Sequence, residues 1–217
     1  VAEKCYLPMN QLVMDMIQRY GANFKVSFSI SGSALEQFAL HAPEVIESFQ
    51  KLAKTGCVEF LAETYAHSLA SLSDTDEFER QVRRHVARME ELFGQKPVTL
   101  RNSSLIYSDQ IGERVAAMGF ESMLTDGAKH VLGWKSPNFV YTNVMNPRLK
   151  LLLKNSRLSD DLTLRFSDHS WHEWPLTADK YARWLKDSTR DREIVNLFMN
   201  YETFGENQSD EIGRAHV

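Results

Sequence analysis

Apolar residues recur three or four positions apart in several segments of the chain, which is the spacing of one buried helix face. The clearest segment begins at Asp74 or Asp76 and ends at Gly94, and these residue types typically cap helices. Its predicted buried face consists of Phe78, Val82, Val86, Met89 and Phe93. Proline, serine and threonine signals predict further helices over residues 8–20, 33–40 with Ser33 as the cap, 43–54, 108–118 and 178–187.

Short strands are predicted between these helices. Residues 24–30 alternate apolar and polar side chains with a period of two, which is typical of a strand with one buried face. The other predicted strands are 57–61, 97–101, 120–124, 139–145 and 194–199, while 147–156 is ambiguous. Because strands alternate with helices, we expect an α/β fold with mainly parallel strands, barrel-like or open, and an irregular insertion around 125–175.

The composition permits one large core and argues against several classes of protein. The 217 residues are 43% hydrophobic and 25% charged, which suits one large domain or two small ones. A net charge of −4 without a basic stripe indicates no nucleic-acid partner. The two cysteines, Cys5 and Cys57, are expected to be buried, reduced thiols because their spacing fits neither a disulfide scaffold nor a zinc cluster.

Targeting signals are not visible in the sequence. No apolar run reaches the roughly 18 residues that a membrane span needs, so no membrane partner is expected. No basic segment followed by an apolar one occurs at the start. The chain begins with Val1 and reads as the middle of a longer chain, so a strand or signal segment could precede it. A cytoplasmic location is the default expectation.

Polar side chains cluster where several predicted strands end. The four clusters are Glu59 with Glu63, Tyr65 and His67; Arg101 to Ser104 with Tyr107 and Asp109; Asp168 to Pro175, which holds Trp171 and Trp174; and Asn200 with Glu202 and Glu206. Because the carboxyl ends of parallel strands gather on one face, residues far apart in sequence can converge there.

Carboxylates and tryptophans on one face suit a carbohydrate ligand, since sugar rings stack on indoles and their hydroxyls bond to polar groups. Retaining glycoside hydrolysis needs two carboxyl groups about 5–5.5 Å apart. Simpler interpretations stay open: strand-end acids are often solvated, Trp171 and Trp174 can serve packing, and His67 can be structural. His169 and His172 beside Asp168 lack an obvious third ligand, so neither a metal nor a cofactor is predicted.

Four strings together resemble glycoside hydrolase family 57, in its α-amylase and α-amylase-like branch. They are VEFLAETY at 58–65, RNSSLIY at 101–107, WHEWPL at 171–176 and MNYETFGE at 199–206. The resemblance covers nearly the whole chain and implies an incomplete (β/α)₇ barrel, retaining action on α-glucans and no metal for the chemistry. It implies an α-glucan or maltooligosaccharide ligand, with protein partners unknown. The substrate-binding residues that it implies are Glu63, His67, Arg101, Asn102, Trp171, Trp174 and Glu202.

The sequence departs from the family pattern at both catalytic positions. Ser104 stands where the resemblance implies the nucleophilic glutamate, and Asn200 stands where it implies the acid/base aspartate. A serine hydroxyl does not replace a carboxylate nucleophile without its own activating base, and an amide cannot deliver a proton to a leaving oxygen. Ala66 also replaces an expected tyrosine before His67. A His-Gln-Pro motif on a first strand and a helical C-terminal region are absent from these residues.

We therefore predict one partial barrel domain over residues 1–217 that keeps a glucan cleft with weakened or lost catalysis. The first alternative is an active retaining hydrolase or glucanotransferase that uses a substitute acid such as Glu202. On a regular strand Glu202 lies roughly 6.6–7 Å beyond Asn200, so this would need remodelling. The second alternative is a fragment without a function of its own. Polysaccharide deacetylase barrels are a further possibility, although their Asp-Asp and His-x-x-x-His metal pattern is not visible.

Overall fold

The computed structural model describes residues 1–208, and the predicted domain end at residue 217 lies outside them. The helices, in chain order, are α1 (Leu7–Tyr20), α2 (Gly32–His41), α3 (Pro43–Ala53), α4 (Thr75–Phe93), α5 (Asp109–Ala117), α6 (Lys129–Leu132), α7 (Ser156–Thr163) and α8 (Ala178–Thr189). The strands are β1 (Val26–Phe28), β2 (Val58–Phe60), β3 (Thr99–Arg101), β4 (Ser122–Asp126), β5 (Val140–Thr142) and β6 (Lys150–Lys154). Short helical turns occupy Ala2–Tyr6, Gly21–Asn23, Ala70–Leu72, Ser103–Leu105 and Tyr201–Thr203.

The strands form two sheets, of order β1-β2 and β3-β4-β6-β5. β1 and β2 are parallel with Val26 opposite Val58, and β3 and β4 are parallel with Thr99 opposite Ser122. An isolated parallel bridge between Ala62 and Leu100 continues the pairing from the end of β2 to β3. The predicted α/β class with mainly parallel strands is therefore confirmed.

The chain divides into two compact units, which are treated separately below. The first unit comprises Val1–Met9, Asp126–Tyr141 and Leu152–Val217, and the second comprises Asn10–Thr125 and Thr142–Leu151. The prediction of a single domain stays a prediction.

The core of the second unit is built by apolar helix faces packed on β1 and β2. Four aromatic rings lie at its centre: Phe60 stacks on Phe93 with ring centroids 4.0 Å apart, and Phe28 meets Phe49 edge-on at 5.1 Å. All four rings come from predicted strands or helices, and two of them, Phe28 and Phe93, come from elements for which the sequence pattern also predicted a buried face.

α4 forms as its sequence signals indicate. The Asp74 carboxylate accepts a hydrogen bond from the backbone N–H of Glu77 (3.0 Å), and Gly94 ends the helix in the left-handed conformation at φ 67°. The buried face differs from the prediction at one position. His85 is buried and Val86 is half-exposed, because the face advances by three residues after Val82 and then by four.

Three other predictions change in the structure. α2 is capped by Ser31, whose hydroxyl accepts from the N–H of Ala34, so the prediction of Ser33 as cap is wrong. The stretch 125–175 holds β5, β6, α6 and α7 between its loops, so part of it is regular. The ambiguous residues 147–156 contain β6 and the start of α7.

The predicted strand over residues 194–199 is wrong. Its ladder is reduced to one parallel bridge between Asn196 and Lys154. The backbone N–H of Ile194 donates to the carbonyl of Asn138, and that of Phe198 donates to the hydroxyl of Ser159. Because these partners lie in a loop and on a side chain, the apolar run has no continuous strand to pair with.

Candidate functional site

The first candidate residues follow β2 and β3, at the carboxyl ends of two neighbouring parallel strands. Glu63 comes directly after Ala62, which bridges to Leu100, and Arg101 is the last residue of β3. This register places the two side chains together, and Nη1 of Arg101 donates to Oε2 of Glu63 over 3.3 Å. The expected convergence of strand-end residues therefore occurs here.

Glu63 is the buried centre of this arrangement. Its side chain is 2% exposed, and Oε1 accepts a hydrogen bond from the Ser29 hydroxyl at 2.7 Å. Oε2 lies 3.0 Å from Nδ1 of His67, in addition to its contact with Arg101. Three of the predicted substrate-binding residues, Glu63, His67 and Arg101, thus form one ionic group, called the Glu63 cluster below.

Arg101 contacts both other members of the Glu63 cluster. Burial lowers the pKa of its guanidinium, and the neighbouring Glu63 carboxylate opposes that effect. Nη1 of Arg101 also lies 3.0 Å from Nδ1 of His67. Nδ1 of His67 therefore faces both a guanidinium, which only donates, and the Glu63 carboxylate, which only accepts, and its tautomer follows from neither contact alone. The imidazole is 46% exposed, so it can exchange a hydrogen bond with a ligand hydroxyl.

The loop after β3 is held by the wholly buried amide of Asn102. Its Oδ1 accepts from the N–H of Ser103 (2.9 Å), and its Nδ2 donates to the Ser71 hydroxyl (2.8 Å) and to the carbonyl of Ile106 (2.9 Å). The hydroxyls of Thr64 and Ser103 lie 2.9 Å apart and tie this loop to the one after β2. Asn102 therefore holds the loop in place, and its predicted contact with substrate stays a prediction.

Ser104 occupies an exposed, left-handed position in that loop. Its backbone has φ 54° and ψ 23°, and the next residue, Leu105, has φ 56°. Across residues 1–208, His67 is the third residue other than glycine with a positive φ, at 53°. Such conformations cost free energy in side-chain-bearing residues and concentrate at functional sites. Two of the three strained residues were candidates on sequence grounds.

Other members of the two predicted clusters in this unit have separate partners. The hydrogen bonds are Thr99 to Glu59 (2.8 Å), Tyr65 to Glu36 (2.6 Å) and Tyr107 to Asp109 (2.8 Å). Burial and the Asp109 hydrogen bond raise the pKa of Tyr107 to about 12. These side chains tie strands, helices and loops to one another.

The first unit contains the remaining candidates. Asn200 is exposed and precedes the turn Tyr201–Thr203, and its carbonyl accepts from the N–H of Thr203 at 3.1 Å. The half-buried Glu202 accepts a short hydrogen bond from the phenol of Tyr6. The ring of Tyr6 is stacked on that of Tyr201, with centroids 6.0 Å apart. Glu202 is thus held by a neutral hydroxyl donor.

Cys5 lies beside the same carboxylate. Its thiol donates to the carbonyl of Tyr201 (3.1 Å), and its side chain is fully buried. Burial raises the pKa of this thiol to about 11, and the negative charges of Glu202 and Glu206 contribute to the shift. Cys5 and Cys57 are both free and buried, as predicted.

The tryptophans of the third predicted cluster divide into one packed and one accessible ring. Trp171 meets Trp184 of α8 edge-on, with centroids 6.0 Å apart. Trp174 is 42% exposed and stacks on His169 at 4.3 Å. Trp174 therefore has one ring face available to a ligand or to solvent, whereas Trp171 contributes to packing.

Residues 1–208 contain neither a metal-binding cluster nor a membrane-spanning helix. No group of three His, Cys, Asp or Glu side chains in that range is arranged to hold a metal ion. Within the same range, no helix is long and apolar enough to cross a membrane.

Two residues of these sites were missed by the sequence reasoning. His85 lies on the buried face of α4, where its spacing from Val82 and Met89 is the signal that could have found it. Tyr6 bonds to a carboxylate 196 residues away, and no local pattern indicates such a pair.

Comparison with known protein families identifies the family of this chain. The model of the family described as "Glycosyl hydrolase family 57" matches residues 1–215. The chain belongs to glycosyl hydrolase family 57. The resemblance inferred from the four sequence strings is therefore confirmed.

One relative in this family is a Methanocaldococcus jannaschii protein that is provisionally named an alpha-amylase. It is 44% identical over 214 residues, which are 98% of this chain and 44% of that protein. The chain therefore spans less than half the length of this relative.

Solved structures confirm the family 57 barrel fold. The 4-alpha-glucanotransferase from Thermococcus litoralis superposes with a TM-score of 0.74 at 16% identity, covering 94% of this chain and 30% of that one. The family 57-type branching enzyme from Pyrococcus horikoshii gives a TM-score of 0.70 at 12% identity, covering 97% of this chain and 59% of that one. At these identities the likeness concerns the fold alone.

Proposed function

We propose that this chain is the glucan-binding barrel portion of an α-amylase-like family 57 protein in which hydrolysis is weakened or lost. One relative is provisionally named an alpha-amylase, and the similar solved structures are a 4-alpha-glucanotransferase and a branching enzyme. These names favour an α-glucan or maltooligosaccharide as the ligand. A cytoplasmic location and the lack of nucleic-acid partners stay predictions.

The state of Glu63 is the observation that carries the proposed loss of chemistry. Ser104 supplies no carboxylate, so a substitute nucleophile would have to come from elsewhere. Glu63 is 2% exposed with both oxygens already engaged, by Ser29 on one side and by Arg101 and His67 on the other. A carboxylate nucleophile must reach the sugar carbon directly, and Glu63 is too buried and too well bonded to do so.

Binding is supported by groups that face outward. The exposed imidazole of His67 can hydrogen-bond with sugar hydroxyls, and the partly exposed indole of Trp174 can stack on the C–H face of a ring. The Arg101 side chain stays 12% exposed, which leaves part of it within reach of a ligand. The predicted contacts of Asn102, Trp171 and Glu202 with substrate belong to the same proposal.

The alternative of an active enzyme has one observation in its favour. Glu202 is fixed by the Tyr6 phenol, so its carboxylate has the defined position that an acid catalyst needs. In that case Glu202 supplies the proton that Asn200 cannot.

An assay of four proteins on amylose, maltodextrin and a chromogenic maltoside tests the proposed loss of catalysis against the alternative of an active enzyme. We expect the native protein to bind maltooligosaccharide by calorimetry without turnover, and Ser104→Glu with Asn200→Asp to gain turnover. Ser104→Gln with Asn200→Asp is the matched control, because glutamine has the shape of glutamate without the carboxylate. Turnover by the native protein that Glu202→Gln abolishes would overturn the proposed loss of catalysis. Absence of binding by every form would overturn the glucan-binding assignment.

A further inference from the structure

A buried histidine lies behind the Glu63 cluster and has no part in the function proposed so far. His85 sits on the inner face of α4 with 0% exposure. Fully buried imidazoles are uncommon unless their polar atoms are satisfied, so the partners of both ring nitrogens are informative.

The two ring nitrogens of His85 connect the ends of two neighbouring strands. Nε2 lies 2.7 Å from the carbonyl oxygen of Ile30, two residues after β1. Nδ1 lies 3.4 Å from the backbone nitrogen of Glu63, three residues after β2. Because a carbonyl only accepts and an N–H only donates, Nε2 carries the proton and Nδ1 the lone pair.

The groups around the ring favour this neutral tautomer. Burial lowers the pKa of His85, and the Ile30 hydrogen bond and the charge of Glu63 oppose that effect. The ring of Tyr65 meets the imidazole edge-on at 6.5 Å, and the guanidinium of Arg84 covers the Tyr65 ring. A protonated imidazole could no longer accept from Glu63, so the neutral form is the one that holds both strand ends.

We propose that His85 is a positioning residue for the Glu63 cluster: by holding the Glu63 peptide, it fixes the direction in which the Glu63 carboxylate meets Arg101 and His67. The Glu63 side chain leaves the backbone at the peptide that His85 binds, and its oxygens meet their three partners within 3.3 Å. A small rotation of that peptide would therefore break contacts on both oxygens. The effect of His85 on ligand binding rests on the proposed glucan-binding function.

Two amide substitutions separate the two hydrogen bonds of His85. In His85→Asn the side-chain oxygen reaches the place of Nδ1 and can accept from Glu63, whereas in His85→Gln the amide reaches the place of Nε2 and can donate to Ile30. His85→Leu removes both bonds. Val82→Ala is the control, because it removes buried methyl groups from the same helix face and involves no polar group that could bond to Glu63.

Two readouts are measured on the full chain at a temperature where each variant is folded. The first is affinity for maltooligosaccharide by calorimetry. We expect binding to weaken about tenfold in His85→Leu and His85→Gln, which is the effect of one hydrogen bond, and to stay within about threefold in His85→Asn and Val82→Ala. The second is the imidazole chemical shift of His67 at constant pH without ligand, which should change in the first pair and not in the second.

The outcomes separate this role from a structural one. If Val82→Ala weakens binding as much as His85→Leu at equal loss of stability, or if His85→Gln matches His85→Asn, the positioning role is wrong. Should His85→Leu fail to fold, the comparison of the two amide variants still decides. If the native protein binds no glucan, the proposed function fails, and the His67 shifts alone then support or overturn the inference.

Discussion

Glu63 and Glu202, two carboxylates predicted to contact substrate, are held in opposite ways. Glu63 is 2% exposed and faces a guanidinium, an imidazole and a hydroxyl. Glu202 is half-buried and accepts from a phenol, and its charge raises the pKa of a neighbouring thiol. A fully buried carboxylate needs a cation, whereas a half-buried one that water also reaches can be held by neutral donors. The difference predicts how each responds to loss of its partner.

The largest effect is expected from removing the cation beside Glu63. Arg101→Met keeps the length of the side chain and leaves a buried carboxylate without its guanidinium. We expect the free energy of unfolding to fall by about 3–5 kcal/mol in urea titrations. Adding Glu63→Gln to Arg101→Met should restore part of this loss, because the uncompensated charge is then gone. A loss below about 1 kcal/mol in the single variant would show that the ion pair behaves as a surface pair.

A smaller effect should appear at alkaline pH in the first unit. Because the Cys5 thiol has its pKa raised from 9.0 to about 11, the native state keeps a proton that the unfolded chain releases. Unfolding therefore becomes easier as pH rises through this interval, by up to about 2 kcal/mol. Thermal denaturation between pH 8 and pH 11 should show this loss, and Cys5→Ala should show a smaller one, since burial also raises the pKa of Tyr6 and Tyr201.

The same titration tests the charge of Glu202. Glu202→Gln removes one of the two carboxylates that raise the pKa of Cys5, although burial remains the larger cause. The alkaline loss should therefore begin at the same pH, which the unfolded-state pKa of the thiol sets, but end at a lower pH and be smaller in this variant. An unchanged profile would contradict the view that the charge of Glu202 acts on the thiol.

The smallest effect is expected from the phenol. Tyr6→Phe removes the donor to Glu202 while keeping the ring stacked on Tyr201, so the free energy of unfolding should fall by about 1 kcal/mol. Tyr20→Phe, at a ring that is 46% exposed, is the matched control and should change it by less than about 0.5 kcal/mol. If Tyr6→Phe costs as much as Arg101→Met, the contrast between the two carboxylates disappears.

Local signals predicted elements well where their causes are also local. α4 begins and ends where a capping carboxylate and a left-handed glycine occur, and both are readable in sequence. The convergence of Glu63 with Arg101 followed from the rule that parallel strands end on one edge. These features depend on nearby residues or on a general rule of topology.

The failures depend on partners distant in sequence. Residues 194–199 have the composition of a strand, yet besides one bridge to Lys154 their backbone partners include a loop carbonyl and the side chain of Ser159. The role of His85 depends on Ile30 and Glu63, which lie 55 and 22 residues away. Composition reports how well a segment suits a strand or a core, and it does not report which groups will meet its polar atoms.

The left-handed turn at Ser104 has a consequence for how such a protein evolves. The turn is maintained by the amide of Asn102 and the hydroxyls of Thr64 and Ser103, while the Ser104 side chain points into solvent. Natural selection can therefore exchange the residue at this position at little cost to folding. A lineage that lost cleavage while keeping its ligand would retain the loop conformation that presents residue 104. One substitution at that residue would then place a carboxylate at the same position again.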